Sequence, residues 1–137
     1  MEFVPHERLA GDSVAVGAGP LSAYQLMNDR RFPWLMLVPR RPAVREIHDL
    51  SAADRALLIE EIAAAGRVLQ TATRAEKIHV AALGNIVPQL HVHVVARFAD
   101  DPAWPGPVWG HGSPEPYEAA ALAERVEELR RTLSASP

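Results

Sequence analysis

Apolar and polar residues alternate most strictly at Gln89-Leu90-His91-Val92-His93-Val94-Val95, about two thirds of the way along the chain. A period of two predicts a β-strand with one face on a core. Leu90, Val92 and Val94 take the core side, and Gln89, His91 and His93 take the opposite, accessible face. Residues 14–17 read as a weak first strand and Ser22–Met27 as a second, with the turn-forming Gly17-Ala18-Gly19-Pro20 between them as a hairpin. Residues 34–38 are continuously apolar between Pro33 and Pro39 and predict a buried strand. Another strand is expected over 77–83, ended by Gly84-Asn85, and the histidine strand follows Pro88.

A helical period appears twice. Ser51 opens the first helix, with Asp54 in the place of the usual Glu of a capping box. Leu58, Ile62, Ala65 and Leu69 then form one stripe as far as about Thr71. The second helix is expected to start at Pro114 with Ser113 as its cap, and Leu122, Val126, Leu129 and Leu133 form its stripe. Between 100 and 116 lie Pro102, Pro105, Pro107, Pro114 and Pro116 with Trp104, Trp109 and His111, which reads as a stiff, ordered loop. The elements add up to an α+β domain: an antiparallel sheet of about five strands, a central helix and a C-terminal helix.

The composition narrows the function classes. A chain of 137 residues suits a single domain, 1–137, and its 48% hydrophobic and 23% charged content is that of an ordinary globular protein. A formal net charge of −3 argues against coating nucleic acid. No cysteine is present, which removes disulfides and thiolate metal sites. The apolar run at 34–38 is far too short to span a bilayer, and residues 1–5 lack the basic-then-apolar layout of a signal peptide. A cytoplasmic protein without membrane or nucleic-acid partners is expected.

Paired imidazoles on one strand face admit three readings. They can be structural side chains of a half-exposed strand. They can be metal ligands, since His-x-His is a real ligand spacing. That reading needs a third ligand, which residues 94–98 do not offer, and His6, His48, His79 and His111 are scattered. Or they can work on phosphorus: a neutral imidazole nitrogen attacks, its other nitrogen is held by an acceptor, and the neighbouring imidazole binds phosphate oxygens or protonates the leaving group.

The strand resembles the signature of the histidine triad (HIT) family, His-φ-His-φ-His-φ-φ, with Gln89 in the first slot. Tyr24-Gln25-Leu26-Met27-Asn28 is similar to the family's second strand, and residues 34–39 to its "LVxP" strand. His48-Asp49-Leu50-Ser51 resembles the entry to its central helix, Gly84-Asn85-Ile86-Val87 the Gly-Gln-Ser/Thr-Val element, and Trp104-Pro105 the Trp-Pro of one branch. The likeness covers roughly residues 13–110, leaving 111–137 for the C-terminal helix and tail.

The resemblance implies a HIT-like fold, commonly doubled as a homodimer by sheet extension. It implies a hydrolase or transferase acting on nucleoside phosphoramidates or dinucleoside polyphosphates. His91 would be the nucleophile that forms a nucleotidyl-histidine, and His93 would bind and polarise the phosphate. Asn28, Asn85 and Gln89 would form the substrate-binding set: Asn28 would hold the ribose, Asn85 would sit near the phosphate, and Gln89, in the first triad slot, would also orient His91. No metal or other cofactor is required. An alternative is a nucleotide-binding module with little turnover, because the triad is altered. Three departures bear on this. Gln89 hydrogen-bonds but cannot titrate. Ile86 replaces a hydroxyl residue, and the Gly-His pair common before the "LVxP" strand is absent, with Trp34 nearest that slot.

Arg30, Arg31, Arg40, Arg41 and Arg45 surround the third strand, as a phosphate-attracting collar or as a solvated sheet end. Trp104 and Trp109 either roof the site or pack on the sheet. His111 is a weak candidate for a general acid, and His79 reads as structural.

Overall fold

Why one strand can carry polar chemistry on a buried face follows from how the sheet is covered. The computed structural model describes residue 3 and residues 5–135. Met1, Glu2 and Val4, part of the segment read above for a leader pattern, lie outside the described residues. The elements are α1 (Glu7–Gly11), β1 (Ser13–Ala18), β2 (Ser22–Met27), β3 (Trp34–Pro39), a 3₁₀ turn (Ile47–Asp49), α2 (Ala52–Thr73), β4 (Lys77–Ala81), β5 (Val92–Arg97) and α3 (Ala119–Ala135). The strands form one antiparallel sheet in the order β1-β2-β3-β5-β4. This is the expected α+β arrangement, with a central and a C-terminal helix. Among the described residues no helix is long and apolar enough to cross a membrane.

One face of the sheet packs on the long helices. Leu26, Leu35, Leu37, Val92, Val94 and Ala96 meet Leu58, Ala65, Val68 and Leu69 of α2 and Leu129 of α3. Ser51 caps α2 as expected, its hydroxyl accepting from the Asp54 N–H at 3.1 Å. The Asp54 carboxylate is engaged by Arg41, at 2.7 and 3.0 Å. The β1–β2 turn is pinned to α2 by Glu61, buried to 4% exposure, which accepts from the Leu21 and Ser22 N–H groups. A Cβ on Gly19 would run into Glu61 and the Tyr24 hydroxyl, so this close approach requires glycine.

The other face is covered too, and here expectation and structure part. Leu9, Phe32, Trp34, Met36, Val38, Val87, Val95 and Val108 form a second buried cluster, with Phe3, Met27, Ala103 and Trp109 packed around it. The histidine face is therefore not an accessible surface: α1 and the loop after β5 lie over it. The regular strand also begins at Val92 rather than Gln89, although His91 keeps the alternation. The last helix starts at Ala119, not Pro114. Residues 114–117 are held extended against the β2–β3 loop: the Arg30 N–H donates to the Glu115 carbonyl, and the Glu115 and Tyr117 N–H groups donate to the side chains of Asp29 and Asn28. Those backbone groups are thereby withdrawn from a helix.

Candidate functional site

Both imidazoles are nearly buried, His91 at 7% and His93 at 5% exposure. They meet edge to face with ring centroids 4.9 Å apart. His91 Nδ1 lies 2.7 Å from the Gln89 main-chain carbonyl. A carbonyl only accepts, so Nδ1 carries a proton, and in the neutral ring the lone pair lies on Nε2. The acceptor that a nucleophilic imidazole needs is thus present on the backbone two residues before it.

His93 is held differently. The buried Trp34 indole N–H donates to His93 Nδ1 at 2.9 Å. An indole N–H only donates, so Nδ1 keeps its lone pair and Nε2 carries the proton. Trp34 and Trp109 stand edge-on to the same imidazole, at 5.5 and 5.3 Å between centroids. Burial, with His91 nearby as the smaller cause, pushes the titration of His93 down to about 4. His93 is thus a neutral hydrogen-bond donor at neutral pH.

A stability effect follows. The unfolded imidazole takes its proton near pH 6.5, whereas the folded one resists until about 4. Between these values the unfolded chain binds more protons, so stability is full above the window and falls as the pH drops through it. Denaturant titrations at neutral and acid pH should show a loss of about 3 kcal/mol across the window. His93→Gln should remove this component, and an unchanged acid slope in that variant would show that His93 does not titrate as described.

Two adjoining clefts meet near the pair. The smaller, about 170 Å³, is lined by Arg8, Asp12, Met27, Ile86 and both histidines, among others. The larger, about 420 Å³, is lined by Asp12, Met27, Asn28, Arg31, Trp34, Trp109 and His111, among others. Asp12 and Met27 border both. Asn28 thus faces the larger cleft, with its Oδ1 accepting from the Tyr117 N–H at 3.0 Å, which leaves the side-chain NH₂ as its donor end. Gln89 does not line the smaller cleft; its Oε1 accepts from the His6 N–H at 2.6 Å and ties down the segment before α1. Asn85 is exposed in the β4–β5 loop and lines neither cleft, and Ile86 beside it is 74% exposed.

Most of the arginine collar is engaged within the protein. Arg30 pairs with Glu115, Arg31 with Asp29 and Arg41 with Asp54, and Arg40 donates to the Gly19 and Leu21 carbonyls. His79 is structural, accepting from buried Arg97. Among the described residues no three His, Asp or Glu side chains are grouped to share a metal ion. Two residues next to the pair went unread in the sequence. In the sequence Trp34 stands out only as a departure from the family pattern, yet it fixes His93 from 59 positions away. Arg8 gave no local signal and reaches the cleft through the placement of α1.

The HIT domain family model matches residues 9–100. Among solved structures, a histidine triad protein from Bradyrhizobium japonicum is 43% identical, with TM-score 0.94 over 97% of this chain and 99% of that one. A histidine triad protein from Sinorhizobium meliloti is 45% identical, with TM-score 0.92 over 95% and 96% of the two chains. One from Marinobacter aquaeolei is 41% identical, with TM-score 0.95 over the whole of both. No curated protein matches the chain.

Proposed function

Because the chain belongs to the histidine triad (HIT domain) family, we propose that it is a nucleotide hydrolase or transferase whose nucleophile is His91 Nε2. The observation that carries the reading is the 2.7 Å contact of His91 Nδ1 with the Gln89 carbonyl. With Nδ1 as the donor, the lone pair of the neutral ring falls on Nε2, the nitrogen that must attack. His91 displaces the leaving group from the α-phosphorus of a nucleoside phosphoramidate or polyphosphate, forming a nucleotidyl-histidine. His93 Nε2–H donates to a phosphate oxygen as charge develops there. Water, or another acceptor, then takes the nucleotidyl group. Asn28 offers its NH₂ to the ribose from the larger cleft. Asn85 reaches the phosphate only if the β4–β5 loop folds inward.

In this reading Gln89 serves the triad through its main chain, so its inability to titrate does not disable the nucleophile. The whole chain, 1–137, acts as one domain, with α3 packed on β1 and α2. Two copies pair through β4, which lies at the edge of the sheet with Val80, Leu83 and Ile86 exposed on and after it. Sedimentation at micromolar concentration should give a dimer, and a monomer would overturn the pairing.

The deciding experiment is mass analysis after rapid mixing with adenosine and guanosine phosphoramidates and dinucleoside polyphosphates. A nucleotidyl adduct on the peptide carrying His91 is expected. Nucleotide binding without adduct or product would make the protein a binding module instead, a reading that the near-complete burial of both imidazoles favours.

A further inference from the structure

We infer that Trp34, by fixing His93 as a donor without an ionisable proton, restricts this site to leaving groups that depart as anions. The inference rests on the reading that His91 attacks phosphorus, and it selects among the substrates that reading allows. Trp34 is 5% exposed, and its N–H reaches His93 Nδ1 at 2.9 Å. For His93 to act as an acid it must first hold protons on both nitrogens. A proton on Nδ1 would meet the indole N–H head to head, with the rings of Trp34, Trp109 and His91 closing in around it.

No side chain lining the histidine cleft takes over the task, and His111 lines the larger cleft, which neither His91 nor His93 borders. His91 keeps its Nδ1 proton on the Gln89 carbonyl. Arg8 and Asp12 are the charged residues of the histidine cleft; a guanidinium does not release its proton and a carboxylate only accepts. The other lining side chains there are apolar: Leu9, Met27, Met36, Ile86 and Val87. His48, with Arg45 and Glu46, borders a separate cleft that touches His91 but not His93. Burial holds His93 neutral in keeping with this geometry.

The chemistry then sorts substrates. As His91 Nε2 forms its bond to phosphorus, the bond to the leaving group breaks and its electron pair leaves with that group. A phosphate or carboxylate accepts the pair as a stable anion. An alkylamine must gain a proton on nitrogen as the P–N bond breaks, and the histidine cleft has no side chain to give it. In the second step water adds to phosphorus, the bond to His91 breaks and the imidazole departs neutral with its Nδ1 proton still in place. The proton of the attacking water passes to solvent. Neither ring is protonated or deprotonated at any point, so anhydrides are processed and alkyl phosphoramidates are not.

The test compares diadenosine triphosphate with the N-propyl phosphoramidate of adenosine monophosphate. The wild type should favour the anhydride by about a hundredfold or more in kcat/KM, the low end of what a general acid supplies. Trp34→His places at 34 a side chain that can accept from a protonated Nδ1, and should narrow the ratio at least about tenfold. Trp34→Phe removes the donor and part of the buried ring but supplies no acceptor for a protonated Nδ1, so it should lower both rates and narrow the ratio less than Trp34→His does; equal narrowing in the two variants would assign the change to loosened packing. Independently, ¹⁵N resonances of His93 in the wild type should show a bare Nδ1 and a protonated Nε2 between about pH 6 and 8. A phosphoramidate rate equal to the anhydride rate, or a proton on Nδ1, overturns the inference. If neither substrate reacts, the nucleotidyl-transfer reading fails and this selectivity with it, while the nitrogen resonances still decide whether Trp34 holds His93.

Discussion

His91→Ala is expected to abolish the nucleotidyl adduct and to lower kcat by at least about a thousandfold, as removal of a covalent nucleophile does in other enzymes. The expectation rests on division of labour around one ring. The Gln89 carbonyl fixes its tautomer, His93 faces it at 4.9 Å, and no other described side chain at the cleft combines a lone pair on nitrogen with that position. Loss of rate must be separated from loss of fold, because His91 is nearly buried. The variant should unfold cooperatively and still bind nucleotide, since Asn28 and the larger cleft are untouched. Equal rates for wild type and variant, with nucleotide bound by both, would remove His91 from the chemistry.

The largest loss of stability is expected elsewhere, at Arg97→Ala. Arg97 is fully buried on β5, on the same face as His93, and grips Asp101 at 2.8 and 3.0 Å. Asp101 also accepts from the Phe98, Ala103 and Trp104 N–H groups. Burial would raise the Asp101 carboxyl, but Arg97 and the backbone donors outweigh it and hold it at about 2. Removing the guanidinium leaves a buried carboxylate without its counter-charge, which costs roughly 3–5 kcal/mol. A domain of this size has only about 5–15 kcal/mol in total. Denaturant unfolding should therefore shift by that amount, and Arg97→Met with Asp101→Leu should recover part of it. A shift below about 1 kcal/mol would mean that water reaches the pair and screens it.

The sequence disclosed what repeats locally. The apolar run of β3, the stripe of α2 and the Ser51 cap stand where the pattern put them, and the period-two strand does so from Val92 on, because one-face burial and backbone capping write themselves into neighbouring residues. What it did not disclose depends on distant cover. Alternation told which side His91 and His93 share, but not that Leu9 and Val108 would close over that side. Pro114 gave a sound local signal for a helix start, and Asn28 and Asp29 overrode it by taking the N–H groups of Tyr117 and Glu115. Asn85 matched a family element by position, yet the loop turns it to solvent. Trp34 matters through a single hydrogen bond to a residue two strands of sequence away, and no periodicity records such a bond.

The Gln89 carbonyl carries a wider consequence. Every amino acid presents the same carbonyl at that point of the backbone, so the orientation of His91 is set by the path of the main chain and not by a letter of the motif. The side chain at 89 is thereby released to other work, and here it fastens the segment that leads into α1. Chains that differ at this one position can hold the same imidazole in the same way while differing in what covers it.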